Sequence, residues 1–177
     1  MRIIGLAGWQ GSGKTTLLAK VIPRLVARGR TVSTVKHAHE GFDIDQPGKD
    51  SHTHRQAGAT EVLISSARRW ALVHELREAT EPALADLLAK LAPVDIVIVE
   101  GFKLGSHPKL EVFRAAVGKP FLHPDDPHIV AVASDQPVPD ARIPVVPLDD
   151  IDAILEIVLA KAAPIAGLLG RGISRGP

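Results

Sequence analysis

Apolar residues along the chain occur either in short continuous runs or at helical spacing, a pattern typical of strands that alternate with helices. The continuous and alternating runs predict eight strands: Arg2–Ala7, Thr31–Lys36, Val62–Ser65, Trp70–His74, Asp95–Glu100, Lys109–Arg114, Ile129–Ser134 and Pro144–Pro147. Helical spacing predicts helices over Thr15–Ala27, from Thr80 to about Leu91, over Ile151–Ala163, and in a stretch from Ser51. This order favours an α/β fold, with a mostly parallel sheet that carries helices on both faces.

Three details refine this prediction. Pro23 lies inside the first helical pattern and predicts a kink or an early break there. The strands Val62–Ser65 and Trp70–His74 are separated by four residues, which predicts a hairpin and hence an added antiparallel region. Lys109–Arg114 alternates polar with apolar residues, as a half-exposed strand does. We therefore expect one domain over residues 1–166, candidate β extensions at 60–75 and 103–115, and a flexible tail at 167–177.

Composition narrows the class of protein. The chain has 177 residues, of which 45% are hydrophobic and 23% charged, and its net charge is +1. This near-neutral balance argues against a nucleic-acid partner bound through bulk charge. The chain has no cysteine, which excludes disulfides, thiolate metal sites and a cysteine nucleophile. Because no apolar run reaches the length of a membrane span and the lack of cysteine fits a reducing compartment, we expect a cytoplasmic protein without membrane contact.

A glycine loop, residues 8–15, carries the strongest chemical signal. Its sequence GWQGSGKT matches the phosphate-binding pattern G-x-x-x-x-G-K-[ST], and it follows a predicted strand and opens a predicted helix. Backbone N–H groups of such a loop surround phosphates, while the lysine and the hydroxyl serve the β- and γ-phosphates and Mg²⁺. The predicted nucleotide contacts are Gly8, Gln10, Gly11, Ser12, Gly13, Lys14, Thr15 and Thr16. The sheet is thus predicted to be that of a P-loop NTPase, with catalytic Lys14 and metal-binding Thr15.

Acids at strand ends provide the next candidates. Glu100 follows the aliphatic run Ile96–Val99 at the end where ligands of parallel sheets bind, so it is predicted to serve Mg²⁺ or an attacking water. An edge salt bridge is the alternative for Glu100. Asp95 lies at the opposite end of the run and is expected to be structural or solvated. Asp135 ends the strand Ile129–Ser134, and its carboxylate would suit the two adjacent donors of guanine, unless it is a turn residue before Pro137.

A polar segment over residues 37–58 contains two His-x-His pairs, at His37 and His39 and at His52 and His54. The imidazoles could bind zinc or nickel, could contact phosphate or an anionic partner together with Lys36, Lys49 and Arg55, or could belong to a solvated loop. Asp45 or Asp50 is a candidate for sensing the γ-phosphate, since the loop after the second strand does so in many nucleotide switches. Arg68 and Arg69 are candidate anion contacts or a charged hairpin tip.

These residues resemble those of the molybdopterin-guanine dinucleotide biosynthesis protein B family, MobB. The resemblance rests on GWQGSGKTTLL, VKHAH, FDIDQPGKDSHTHRQAGA, IVIVEGFK, HPKLEVFR and IVAVASD, which span residues 1 to about 135 in order. It implies a GTP-binding P-loop protein with weak GTPase activity that uses Mg²⁺ and forms a homodimer through an extended β region. It also implies assistance to a separate guanylyltransferase that acts on the molybdenum cofactor, and leaves open whether molybdopterin contacts this chain.

Two other functions fit the motifs. A P-loop small-molecule kinase would use the same Lys14, Thr15 and Glu100, with Arg68 as a candidate for a lid arginine. An NTP-dependent metallochaperone would load a metal ion through the histidines.

Overall fold

A computed structural model describes residues 1–38 and 41–169 of the chain. The chain forms two compact units: one contains Met1–His37 and the chain from Leu84 onwards, and the other contains Ala38–Ala83. The predicted single domain therefore contains two compact units. In the described part of the chain, no helix has the length and apolar character that a membrane span requires.

The first unit is built around a sheet of seven described strands. These are β1 (Arg2–Ala7), β2 (Val32–Lys36), β5 (Ile96–Glu100), β6 (Lys109–Phe113), β7 (Ile129–Ser134), β8 (Val145–Pro147) and β9 (Ala163–Pro164). Their order is β2-β5-β1-β6-β7-β8, all parallel, and the short β9 pairs antiparallel with the start of β1. The predicted mostly parallel sheet is confirmed. Because β1 lies between β5 and β6, the loop that follows β1 has strand ends on both sides.

Helices cover both faces of this sheet, as predicted. The helices of the first unit are α1 (Lys14–Ala27), α3 (Leu84–Leu88), α4 (Ile151–Lys161) and α5 (Ala166–Leu169). On one face, α1 and α4 pack through Leu17, Val21 and Ile154 in a core that includes Ile4 and Ile98 of the sheet. On the other face, Leu88 of α3 joins a second core with Ile3, Val97 and Ile165. This two-sided burial explains the continuous aliphatic runs of the central strands.

The predicted helices differ from the observed ones in three places. Pro23 does not break α1, which runs through it to Ala27. The helix expected from Thr80 begins only at Leu84, because a residue that precedes proline, here Glu81, disfavours helical backbone. The last long helix ends at Lys161, because Ala163 precedes Pro164 and pairs with β1 instead.

The prediction for Lys109–Arg114 is wrong. All five residues of β6 are buried, and β6 lies between β1 and β7 in the main sheet, so residues 103–115 are not an added β extension. The polar side chains are buried because they find polar partners. Lys109 Nζ donates to the Lys103 carbonyl at 2.8 Å and pairs with Asp126 at 2.8 Å. Glu111 accepts hydrogen bonds from the backbone N–H groups of Leu122 and His123.

The second unit contains α2 (Asp50–Gln56) and the strands β3 (Glu61–Ser65) and β4 (Trp70–His74). β3 and β4 form a separate two-stranded antiparallel sheet, with Leu63 opposite Leu72, which confirms the predicted antiparallel region. The predicted flexible tail starts at residue 167, but α5 continues to Leu169, and residues 170–177 lie outside the described residues.

Candidate functional site

The glycine loop connects β1 to α1, as its sequence predicts. Gly8, Gly11 and Gly13 all have positive φ, at 148°, 83° and 94°. At Gly8 a side chain is also excluded by space, because an added Cβ would lie 2.5 Å from the Val112 carbonyl oxygen and 2.6 Å from Ser12 Oγ. Ser12 is buried, and no protein atom among the described residues hydrogen-bonds its Oγ. The loop is thus a backbone cradle that side chains would fill, as phosphate binding requires.

Lys14 folds back over this loop. Its Nζ donates to the carbonyl oxygens of Gly8 at 2.8 Å and Trp9 at 2.9 Å. Burial lowers the pKa of Lys14 below its ordinary value; Glu100 opposes this effect, and Lys103 and Lys36 add to it. Several positive charges therefore converge on the glycine loop, where an anionic ligand would relieve their repulsion.

Thr15 and Glu100 are the predicted metal ligands, and the structure brings them together. Thr15 Oγ1 donates to Glu100 Oε1 at 3.4 Å. In the described part of the chain, Glu100 takes part in no ion pair, which disfavours the salt-bridge alternative, and no three His, Asp or Glu residues form a metal-binding group. One hydroxyl and one carboxylate suit Mg²⁺, which keeps waters and phosphate oxygens as its other ligands. The donor set therefore fits Mg²⁺ bound with a nucleotide.

Lys36 and His37 lie beside Glu100. Lys36 is the register partner of Glu100, and the His37 N–H donates to the Glu100 carbonyl oxygen at 2.8 Å. The His37 ring packs on Phe102, with 4.9 Å between the ring centroids. Gly101 has a φ of 106°, and an added Cβ would lie 2.4 Å from His37 Cβ, so only glycine fits between them. His37 thereby holds the turn that follows Glu100.

A cavity of about 600 Å³, called the β7–β8 cavity below, lies at the ends of β7 and β8. These strands are on the opposite side of β1 from β5 and Glu100. It is lined by Lys20, Arg114, Ser134, Asp135, Gln136, Pro137, Val145, Val146, Pro147, Leu148 and Asp149. Asp135 Oδ1 accepts a hydrogen bond from the Ala115 N–H at 2.8 Å, and Asp135 Oδ2 lies 3.9 Å from Arg114 Nη1. The carboxylate thus reaches across to the end of β6, where Arg114 and Ala115 follow the strand. Asp135 faces a concave space of a size that holds a small ligand.

Sequence reasoning missed the contribution of residues 114–120 to the glycine loop. The Trp9 Nε1–H donates to the Pro120 carbonyl at 2.8 Å, and the ammonium groups of Lys103 and Lys119 lie 5.7 and 5.8 Å from the Trp9 ring centroid. A Cβ added to Gly13 would lie 3.5 Å from Arg114 Nη2. The signal in the sequence is Arg114, a basic residue that directly follows a predicted strand. A half-exposed strand, as predicted for Lys109–Arg114, gives no reason to place Arg114 beside the glycine loop.

Asp45 and Arg68 belong to the second unit. Arg55 Nε contacts Asp45 Oδ2 at 3.1 Å, and Ser51 Oγ donates to Asp45 Oδ1 at 2.8 Å, with the Asp45 side chain 5% exposed. Arg55 also pairs with Asp43 and Glu75. The Ser51 hydroxyl and Arg55 hold the pKa of Asp45 below its usual value. These contacts stabilise the second unit, whereas the predicted sensing role of Asp45 and the anion contact of Arg68 stay predictions.

The predicted histidine cluster is described only in part. His52 and His54 lie on α2, and His37 lies beside Glu100, whereas His39 lies outside the described residues. Whether the histidines of this segment bind a metal ion, contact an anion or lie in a solvated loop stays open.

The sheet order and the glycine loop between β1 and α1 define an α/β protein of the P-loop class. The family model for MobB, described as molybdopterin guanine dinucleotide synthesis protein B, matches residues 3–135. The chain belongs to this family, as its motifs predict.

Relatives and solved structures agree with this assignment. The chain is 38% identical to the molybdopterin-guanine dinucleotide biosynthesis adapter protein of Escherichia coli over 89% of this chain and 91% of that protein. It is 40% identical to the adapter protein of Haemophilus influenzae over 77% and 76%. A crystal structure of molybdopterin-guanine biosynthesis protein B is 27% identical, with a TM-score of 0.68 over 89% of this chain and 98% of the other.

Proposed function

We propose that this protein is an adaptor in the synthesis of molybdopterin guanine dinucleotide, which binds GTP with Mg²⁺ and hydrolyses it slowly. The carrying observation is that three groups lie along one edge of a single sheet. These groups are the glycine loop with Lys14, the pair of Thr15 and Glu100, and the β7–β8 cavity with Asp135. Along the sheet, Glu100 ends β5, the glycine loop follows β1, and Asp135 ends β7, which is the order that the metal, the phosphates and the base of a bound nucleotide need.

The role of each residue follows from its position. The N–H groups of the glycine loop and Lys14 hold the phosphates, and Lys14 can exchange its present carbonyl partners for phosphate oxygens. Thr15 and Glu100 would hold Mg²⁺, which neutralises charge on the β- and γ-phosphates. The Glu100 carboxylate orients a water for attack on the γ-phosphate, and Asp135 accepts the two adjacent N–H donors of guanine. We assign the nucleotidyl transfer itself to a separate guanylyltransferase, which this protein would assist.

We also propose a homodimer formed through the second unit. One face of the β3–β4 sheet presents the cross-strand pair Leu63 and Leu72, with Trp70 beside it, and these side chains are 63%, 43% and 68% exposed. An isolated two-stranded sheet is marginally stable in water, so a cover on this apolar face would stabilise it. A second copy of the chain provides an equal apolar face, as a twofold interface requires. The cytoplasmic location and any contact with molybdopterin stay predictions.

Nucleotide titration tests the guanine assignment. We expect the wild type to prefer GTP to ATP, and Asp135→Asn to bind GTP more weakly and xanthosine triphosphate more tightly. The reason is that xanthine has an acceptor where guanine has an amine donor, and an asparagine amide can donate to it. The affinities for the three nucleotides are measured by calorimetry with Mg²⁺ present.

Asp149→Asn is the matched control, because Asp149 lines the same cavity and has no assigned role in reading the base. It should keep the wild-type order of nucleotides. If Asp135→Asn also keeps that order, the residue that recognises the base lies elsewhere. Lys14→Ala should weaken all three triphosphates together, because Lys14 acts on phosphate.

A further inference from the structure

Arg114 is the charged side chain that lies between the glycine loop and the β7–β8 cavity. It directly follows β6, the strand beside β1, so its backbone stands at the edge of the sheet where the loop begins. Its Nη2 would lie 3.5 Å from a Cβ added to Gly13, and its Nη1 lies 3.9 Å from Asp135 Oδ2. One guanidinium therefore lies beside both parts of the candidate nucleotide site.

The electrostatics of this position are unusual for a cation. Gly13 is the N-cap of α1, and the N-terminus of a helix carries partial positive charge, which disfavours a neighbouring guanidinium. The ion pair with Asp135 is long at 3.9 Å, and the side chains of Arg114 and Asp135 are 45% and 30% exposed, so water screens it. Neither the partial charge of the helix N-terminus nor the ion pair with Asp135 stabilises Arg114 in this position. An anion that lies on the first turn of α1 would satisfy both the guanidinium and the helix.

The geometry around Asp135 gives the second half of the argument. Asp135 Oδ1 is held by the Ala115 N–H at 2.8 Å, and the guanidinium of the preceding residue faces Oδ2. The Ala115 N–H therefore fixes one carboxylate oxygen, and the positive charge of Arg114, beyond hydrogen-bond distance, lies beside the other oxygen. A planar guanidinium has enough donors to face the carboxylate and a phosphate oxygen at the same time.

We propose that Arg114 is a positioning and specificity-determining residue of the nucleotide site: it orients the Asp135 carboxylate toward the base and binds the phosphate nearest the ribose. This inference rests on the proposed function, because it assumes that the site takes a guanine nucleotide. Lys20 lines the same cavity from α1. Arg114 is preferred to Lys20 because its guanidinium lies beside both Gly13 and Asp135.

The test compares the affinities of wild type, Arg114→Gln and Arg114→Lys for GTP and ATP. Arg114→Gln should bind GTP about tenfold or more weakly, the loss expected for one charge-assisted hydrogen bond. It should also lower the preference for GTP over ATP, because Asp135 loses one of the groups that orient it. Arg114→Lys should recover part of the GTP affinity through its charge but little of the preference, because it lacks the planar fork.

A double variant separates the two contacts. In an Asp135→Asn background, Arg114→Gln should weaken GTP less than it does in the wild type, because only the phosphate contact remains to be lost. Arg24→Gln is the matched control: Arg24 is 46% exposed and pairs with Asp152 at 3.3 Å, but it lies in the last turn of α1. It should leave both affinity and preference unchanged.

Two results would overturn the inference while the proposed function stands. The first is a folded Arg114→Gln with GTP affinity and preference within about twofold of a wild type that prefers GTP. The second is an Arg114→Gln protein that loses equal affinity for GTP and ATP, with free-energy effects of Arg114→Gln and Asp135→Asn that add in the double variant. Arg114 would then contact phosphate but not orient Asp135. A wild type that binds GTP and ATP equally would instead overturn the proposed guanine specificity, and the role of Arg114 with it.

Discussion

Glu100 illustrates how one residue takes its role from the strand that carries it. The strand β5 is buried along Ile96–Val99, and Glu100 is the first residue of that strand with partial exposure. The turn that follows it is fixed by Gly101 and His37, so the carboxylate is presented at the edge beside Thr15. An acid held by rigid backbone in this way can orient a water with little loss of entropy.

We expect Glu100→Gln to slow GTP hydrolysis by about a hundredfold and to change GTP affinity only a few fold. The amide keeps the size of the side chain but loses the charge and the acceptor capacity that orient a water. Single-turnover hydrolysis and a separate binding titration measure the two effects independently.

Asp95→Asn provides the control for this substitution. Asp95 lies just before the same strand at its opposite end, where it accepts hydrogen bonds from the Thr31 N–H and hydroxyl. Its replacement should cost stability and leave the hydrolysis rate of the folded protein unchanged. Equal hydrolysis rates for wild type and Glu100→Gln would remove Glu100 from the proposed mechanism.

At the scale of single residues, the sequence predicted the strand-end acids because the ends of parallel strands meet at one edge. Glu100 lies beside Thr15 at the end of the glycine loop, and Asp135 lines the β7–β8 cavity, as their strand-end positions predict; their roles stay predictions. Arg114 ends a strand in the same way. The sequence does not identify Arg114 as a site residue, because its strand is predicted to be half-exposed. A half-exposed strand would lie at the edge of the sheet, away from the glycine loop.

At the scale of elements, β6 shows why alternation alone misled the prediction. An alternating strand has one polar face, and the usual reason is that this face meets water. In β6 the polar face is covered by the chain that follows the strand, and Lys109 and Glu111 are paired beneath it with Asp126 and His123. The strand's own sequence does not specify this cover, because the charged partners Asp126 and His123 lie more than ten residues from Lys109 and Glu111.

His107, which precedes β6, lies in the same covered region and gives this element a pH dependence. It is 1% exposed, and a Cβ added to Gly5 would lie 2.4 Å from its Nε2. Burial lowers the pKa of His107 to about 4, with Lys109 and His128 adding to the effect and Asp126 opposing it. The unfolded chain therefore binds a proton at His107 below its ordinary pKa of 6.5, whereas the folded chain does not bind one until about pH 4.

We expect stability to fall as the pH drops through this window, with His107 contributing at most about 1.4 kcal/mol per pH unit. His107→Gln should show a smaller slope of unfolding free energy against pH between about 6.5 and 4. Urea unfolding at several pH values gives these slopes.

His54→Gln is the control, because His54 is exposed on α2 and should keep the wild-type slope. A His107→Gln protein with the wild-type slope would show that His107 is not the group that resists protonation in the fold.

At the scale of the whole molecule, the candidate nucleotide site and the apolar face of the β3–β4 sheet belong to different compact units. The glycine loop, Glu100 and Asp135 all belong to the first unit, whereas Leu63, Leu72 and Trp70 belong to the second. The hairpin was predictable from two short apolar runs that only four residues separate. The sequence does not predict which face of the hairpin stays apolar and exposed. That depends on which face α2 and the rest of the second unit cover.

The last prediction concerns this apolar face. We expect Leu63→Lys to convert the proposed homodimer into a monomer, because a twofold interface would place the two new charges near each other in a desolvated patch. Sedimentation velocity at matched concentrations measures the change. Leu104→Lys is the control: Leu104 is fully exposed in the first unit, so it adds the same charge outside the β3–β4 face. A wild type that sediments as a monomer, or a Leu63→Lys protein that remains a dimer, would show that this face does not join two copies. If the dimer dissociates while GTP affinity in the first unit is kept, nucleotide binding and assembly are independent functions of the two units.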